Sequence, residues 1–427
     1  MAPNVEILIG PAAEWLARLP PASFHCCVTS PPYWGLRDYG VEGQLGLEPT
    51  PEAYVERLLT VLDVGLRRVL RPEGTLWLNL GDSYAHNPAK GQHKPGDGTS
   101  GKHAAVYESG GRASATGIPA NMKAKDLVGI PWRVAFAMRE RGWYLRAAMP
   151  WVKRNCMPSS VRDRPVTAIE TVFLFAHPES KGRYFYDTEA VKVLGSGKAA
   201  GNKKRPNGRA SRTVAAERHI DSFCGERVSK PYLTRSRRDS DFFFDSLSAI
   251  TGDKAQMLLH ADDGEAESGT LAEDHPTPLA LVVNPRPFKG AHFAVFPPGL
   301  VEPMIKAGTS EHGCCSACGA PWIRETKRNV IEAKDVATGG DPARKDGGSR
   351  IKDPSGKGGN VLATRTRATG SWKPSCAHDV YRIPCNVIDP FGGSGTTGLV
   401  AKHLGRDAFL IELNPEYEAL IRQRINE

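Results

Sequence analysis

Apolar residues along this chain come in short, dense runs separated by amphipathic stretches. VEILI at 5–9 and FHCCVT at 24–29 are too short for buried helices and read as strands, with a helix over about 12–19 between them. Thr50 followed by Pro51 is an N-cap arrangement, and Tyr54, Leu58, Leu62 and Leu66 continue from it at helical spacing, predicting a helix to about Val69. GTLWLNLGDSY at 74–84 reads as a strand and a loop. A helix is expected within 126–143, strands near 144–152 and 170–177, and a helix from about Pro298. The clearest unit comes last, in CNVIDPFGGSGTTGLVAKHLGRDAFLIELN at 385–414: strand, glycine turn, helix, strand. Repetition of this order predicts an α/β fold with a doubly covered, mostly parallel sheet.

Three stretches break the pattern. Residues 86–120 are rich in Gly, Lys, Ser and His and predict a mobile loop; from about 191 to 283 periodicity weakens; 326–371 predict disorder. The expected organisation is therefore 1–190 and 284–427 as two halves of one α/β domain, 191–283 as an insertion, and 312–380 as a smaller one.

Charge changes the picture in the middle. The net charge is +9 over 427 residues, and GNKKRPNGRASR at 201–212 and SKPYLTRSRR at 229–238 concentrate it. Such runs suit a polyanion or are solvated loops. No apolar run reaches the ~20 residues of a membrane span, and the N-terminus lacks a secretory pattern, so a cytoplasmic protein without membrane contact is expected. Nine cysteines, an odd and irregular set, do not suit a disulfide scaffold.

Two stretches carry candidate chemistry. In DPFGGSGTTG a glycine turn follows a strand and opens a helix, with Glu412 at the end of the next strand. That pattern suits an adenosine-containing ligand or a structural turn; the Gly-Lys-Ser/Thr ending of a phosphate loop is lacking. Asp389 could orient the loop or face a ligand ammonium. In SPPYW, Pro31 and Pro32 stiffen the chain and donate no N–H. Either Ser30 and the Pro31 carbonyl accept the hydrogens of an exocyclic amine while Tyr33 stacks on its ring, or this is a structural turn with Tyr33 and Trp34 in the core. Cys315 and Cys318, with Cys376 and His378, form two close pairs of soft ligands fit for tetrahedral zinc; free cysteines are the alternative, and Cys314 and Cys385 are rival ligands.

Together, SPPY at 30–33, DPFGGSGTT at 389–397 and IELN at 411–414 resemble the amino-type, S-adenosylmethionine-dependent DNA methyltransferases. The order of the motifs, catalytic first and cofactor last, resembles the beta class. The resemblance covers about 1–190 and 284–425 and implies a Rossmann-like methyltransferase sheet. It implies catalytic roles for Ser30, Pro31, Pro32 and Tyr33. It implies cofactor contacts for Asp389, Phe391, Gly392, Gly393, Gly395, Thr396, Glu412 and Asn414. Through HFAVFPPGLVEPMI and GDSY it adds Phe296, Pro297 and Asp82. It further implies base flipping, double-stranded DNA as partner, and 191–283 as target-recognition region, with Lys203, Lys204, Arg205, Arg235, Arg237 and Arg238 as contact candidates. A cognate restriction endonuclease and a homodimer are partners it leaves open. Serine at the first catalytic position is commoner in relatives that modify cytosine N4, aspartate in adenine N6 enzymes, so cytosine is the expected base. An RNA or small-molecule methyltransferase and an inactive DNA-binding scaffold are the rival readings.

Overall fold

A computed structural model describes residues 3–85, 119, 121–153, 161, 163–165, 167–191, 193–194, 274–275, 281–283, 296–332 and 361–426. The loop expected at 86–120, most of the region at 191–283 and its six basic contact candidates lie outside these residues, apart from Pro119 and a few short strand segments. The chain divides into two units, Met1–Glu311 with Pro384–Glu427, and His312–Ile383.

The larger unit is built on one eight-stranded sheet. Its strands are β1 (Val5–Ile9), β2 (Phe24–Thr29), β3 (Leu70–Leu80), β4 (Tyr144–Val152), β5 (Ile169–Ala176), β6 (Leu281–Val282), β7 (Asn386–Asp389) and β8 (Asp407–Glu412), in spatial order β1-β8-β7-β2-β3-β5-β4-β6. Every pairing from β1 across to β3 is parallel, as is β4 with β6. Only β3 with β5 and β5 with β4 run antiparallel.

Both faces are covered, and the two-residue period of the strands divides the core. Cys27, Leu76, Leu78, Ile388 and Ile411 face helices α1 (Ala12–Arg18), α2 (Pro51–Leu59) and α3 (Ile130–Glu140). Their neighbours Cys26, Val28, Trp77, Val387 and Ala408 face α4 (Pro298–Gly308) and α5 (Thr396–His403). A sixth helix, α6 (Tyr417–Asn426), packs Ile421 and Ile425 against Leu410. No described helix is long and apolar enough to cross a membrane.

The expected helix after Pro51 forms, with a local change of type. Thr50 caps it by accepting from the Ala53 N–H at 3.1 Å. After Leu59 the backbone widens to a π-helix at Thr60–Gly65 and returns to α over Leu66–Val69. Residues spaced strictly by four drift by about 40° per step around an α-helix. The wider turns cancel part of that drift, and Tyr54, Leu58, Leu62 and Leu66 are all fully buried.

In the smaller unit, Cys314–Cys315 pairs antiparallel with Arg382–Ile383, and Trp322–Glu332 with Val361–Pro374. These last two strands correct the expectation of disorder through 326–371 at both of its ends. WIRETKRNVIE and VLATRTRATGSWKP interleave charge with Val, Ile and Thr, a pattern that favours a two-stranded ribbon as much as a solvated coil. Among the described residues none of the unit's side chains joins an apolar core cluster. Instead His312 stacks on Trp372 at 5.4 Å, and Arg324 lies over the same ring at 4.2 Å.

Close packing of α4 on the sheet yields a stability prediction. A Cβ at Gly308 would lie 2.6 Å from Cys26 Sγ and 2.7 Å from Thr75 Oγ1. Gly308→Ala should therefore cost about 1–3 kcal/mol. Gly299→Ala, whose Cβ finds only Val283 at 3.6 Å, should be neutral or slightly stabilising. Urea unfolding midpoints check this, and equal midpoints for the two variants would refute the packing.

Candidate active site at the sheet switch point

The order in which the strands are wound changes sense between β2 and β7. From β2 the connection through α2 leads to β3 on one side; from β7 the connection through α5 leads to β8 on the other. Such a switch opens a crevice beyond the carboxyl ends of the two strands. SPPY leaves β2 there and DPFGGSG leaves β7, so strand order brings the two motifs together. Thr29 Oγ1 donates to Asp389 Oδ1 at 2.6 Å, a buried hydrogen bond between residues 360 positions apart.

Asp389 organises this junction. Its other oxygen accepts from Thr397 Oγ1 at 2.7 Å, and the Phe391 N–H reaches Oδ1 at 3.0 Å. Burial pushes its carboxyl up to about 7, against the three donors that hold it down. These hydrogen bonds tie the start of the glycine loop to the end of β2 and to α5.

The glycine turn that follows is held at both ends. Gly392 N–H donates to the Ile411 carbonyl at 2.7 Å and Gly395 N–H to that of Gly392 at 2.8 Å. Gly395 has φ of 80° and its missing Cβ would press on Ile421 Cγ2 at 2.8 Å, so packing and backbone both demand glycine there. Glu412 accepts the Gly393 N–H at 2.7 Å and the Asn414 N–H at 2.8 Å; burial pushes its carboxyl up while those N–H groups hold it down. Asn414 in turn accepts from the Glu416 N–H ahead of α6. The hydroxyl of Thr396, first residue of α5, is buried without a hydrogen-bond partner among the described residues.

On the β2 side the proline loop is equally fixed. Tyr54 donates its hydroxyl to the Pro32 carbonyl at 2.9 Å, and Trp34 its Nε1–H to the Glu48 carbonyl at 2.8 Å. Trp34 is in the core, whereas Tyr33 is half-buried and packs against its edge. Gly81 gives room for the Tyr33 ring, since a Cβ there would fall 2.5 Å from it. Ser30 Oγ lies 3.1 Å from the Tyr33 hydroxyl. Further along the loop, burial pushes the Tyr39 phenol up; Arg37 opposes that shift, and Tyr417 and Glu412 add to it.

Three polar residues that sequence reasoning passed over stand behind Tyr33. Its hydroxyl donates to Glu170 Oε2 at 2.7 Å, Asn79 Nδ2 lies 2.8 Å from both atoms, and Lys153 pairs with Glu170 Oε1. Their signal was available as single polar residues within or beside the apolar strands WLNL, WVK and ETVFLFA.

Other candidates sit differently. Asp82 accepts the N–H groups of Ser83, Gly129 and Ile130 and so anchors the start of α3; burial pushes its carboxyl up. Pro297 is the N-cap of α4, and Phe296 packs with the core on the α4 face, opposite the face that Tyr33 and Phe391 join. In the smaller unit the ligand atoms of Cys315, Cys318, Cys376 and His378 lie within 4.8 Å of one another. Gly319, at φ of 70°, donates its N–H to the Cys315 carbonyl at 2.8 Å and closes the tight turn between the first two cysteines.

An open, mostly parallel sheet with a glycine turn and a proline–aromatic loop at one switch point defines a Rossmann-like class of α/β protein. The chain matches the DNA methylase family of N6 and N4 methyltransferases over residues 24–315 and 385–423, and it belongs to that family. It is 30% identical over 418 residues to the type II methyltransferase M.XycI of Xanthomonas campestris pv. cyanopsidis, covering 97% of this chain and 86% of that one. Over 423 residues it is 29% identical to M.SmaI of Serratia marcescens, covering 99% and 91%. Alignment with the solved PvuII DNA methyltransferase gives 16% identity and a TM-score of 0.45, over 99% of this chain and 88% of that one. The protein is accordingly an S-adenosylmethionine-dependent amino-DNA methyltransferase of the beta class.

The buried carboxyl at the junction predicts a pH dependence. Because the folded state raises Asp389 from its ordinary 3.8 to about 7, its contribution to stability is full below pH 4 and is lost as pH rises to 7. Asp389→Asn should lack this decline, so that thermal melts of variant and wild type diverge by up to about 4 kcal/mol between pH 4 and 7, in the variant's favour. Parallel pH profiles would refute it.

Proposed function

We propose that this methyltransferase acts on the exocyclic N4 amine of a cytosine flipped out of duplex DNA. The observation that carries the choice of base is Ser30 at the first position of the catalytic motif, the residue commoner in relatives that modify cytosine.

An aromatic amine is a weak nucleophile because its lone pair is delocalised into the ring. Ser30 Oγ and the Pro31 carbonyl accept its two hydrogens, favour pyramidal nitrogen and stabilise the positive charge that develops there. Tyr33 stacks on the base and fixes its approach. The turn Gly392–Gly395, the unpartnered Thr396 hydroxyl, Phe391, Asn414, Phe296 and Pro297 are the groups to hold S-adenosylmethionine. Once bound, it supplies a methyl group on a positive sulfur. Glu412 keeps lone pairs for ribose hydroxyls, while Asp389 and Asp82 serve by fixing the loops behind the site. The basic segments within 191–283 read and hold the DNA.

A structural zinc ion belongs to the same proposal. Tetrahedral Zn–S bonds of about 2.3 Å place ligand atoms about 3.8 Å apart. The four atoms of the smaller unit are within 4.8 Å already, in a unit whose described residues build no apolar core. A metal supplies what burial does not.

Digestion of DNA methylated by the enzyme should release N4-methylcytosine; N6-methyladenine alone would assign the other base. Ser30→Ala should lower turnover about 100-fold or more with cofactor affinity unchanged, as read by single-turnover rates beside cofactor titration. Protein purified without added metal should contain one zinc per chain, and its stoichiometric absence from folded enzyme would end the metal assignment.

A further inference from the structure

Hydrogen-bond direction behind the catalytic loop can be worked out by counting protons. A carboxylate only accepts. Glu170 takes Lys153 on Oε1 and both the Tyr33 hydroxyl and Asn79 Nδ2 on Oε2. Tyr33 has one proton, and at 2.7 Å it is committed to Glu170. In the 3.1 Å contact between Ser30 Oγ and the Tyr33 oxygen, the serine must then be the donor. Asn79 Nδ2, whose two hydrogens face the oxygens of Glu170 and Tyr33 at 2.8 Å and Ser30 Oγ at 3.3 Å, is compatible with that sense. With the serine proton committed to Tyr33, Oγ keeps a lone pair with which to accept.

We propose that Glu170 is a positioning residue that orders this chain and thereby presents Ser30 to the target base as a hydrogen-bond acceptor. The assignment rests on the reading of Ser30 as receptor for the amine. An amine brings only hydrogens to that contact. If the Tyr33 proton were released from Glu170, it could turn onto Ser30 Oγ and the serine would point its own hydrogen at the amine. Lys153 keeps the carboxylate in place: it pairs with Oε1 and sits 4.4 Å above the Trp151 ring, with side-chain exposures of 21% for the lysine and 16% for the glutamate. Tyr33 consequently has two tasks, a ring for the base and a hydroxyl that transmits the orientation.

The test is a double-variant cycle with S-adenosylmethionine and duplex substrate DNA. Glu170→Gln keeps the size of the side chain but, with its carbonyl held by Lys153 in the place of Oε1, turns an amide donor toward Tyr33; it should lower the single-turnover methylation rate at least tenfold while cofactor and DNA dissociation constants stay within twofold. Glu170→Asp, which keeps the acceptor, should recover most of that loss. In a Tyr33→Phe background, Glu170→Gln should add nothing, because the relaying hydroxyl is gone. Additive losses of the two substitutions, or equal rates for the Gln and Asp variants, would overturn the proposal. Should Glu170→Gln fail to fold, as shown by melting curves, the Asp variant alone decides: a loss beyond tenfold in a folded Glu170→Asp enzyme counts against it. A normal rate for Glu170→Gln beside a strongly impaired Ser30→Ala sinks this assignment alone, whereas an unimpaired Ser30→Ala sinks the reading beneath it.

Discussion

The hydrogen bond from Thr29 to Asp389 is the constraint on which the site depends. Parallel pairing of Cys26 with Val387 and Cys27 with Ile388 places the two strand ends side by side, and the buried carboxyl then takes donors from the end of β2 and from the turn and helix that follow β7. Burial pushes this carboxyl up, and its three donors work against that shift. What is gained is alignment: the proline loop on one side and the glycine turn on the other inherit their relative position from two adjacent strands rather than from flexible segments.

Much of this was legible in the sequence, for reasons that differ by element. β1, β2, β7 and β8 are dense apolar runs ended by turn residues, and Thr50-Pro51 announces its helix, so local pattern sufficed for them. Adjacency of β2 and β7 was not readable, because pairing between residues hundreds of positions apart leaves no local signature. Trp34 and Tyr33 were ambiguous as a pair. The structure separates them, since Trp34 finds the Glu48 carbonyl inside the core while the Tyr33 hydroxyl finds Glu170 at its edge. Asn79, Glu170 and Lys153 escaped notice because each is one polar residue in or beside an apolar run, and only the strand register reveals that they converge. The ribbon at Trp322–Glu332 and Val361–Pro374 was hidden by its charge.

The two units solve stability in different ways. The larger one buries aliphatic and aromatic side chains on both faces of its sheet, with Phe173, Phe175 and Trp143 fully inside. Even its polar interior groups are mostly paired, as where Trp143 donates to Asp63 at 2.9 Å. The smaller unit shows strand pairing, His312, Arg324 and Trp372 stacked together, and four soft ligand atoms within 4.8 Å of one another. Its described residues offer directional contacts where the other unit offers volume.

The distance in sequence between Thr29 and Asp389 also sets a schedule. During synthesis the proline loop is made well before the glycine turn, and β2 lacks its neighbour on one side until Asn386–Asp389 has left the ribosome. A growing chain therefore carries its proline loop without the glycine turn that completes the crevice until residues 386–412 have been made. Meanwhile the incomplete sheet presents the unpaired edge of β2 to the cell, so the interval before closure is when this protein is most exposed to misassembly.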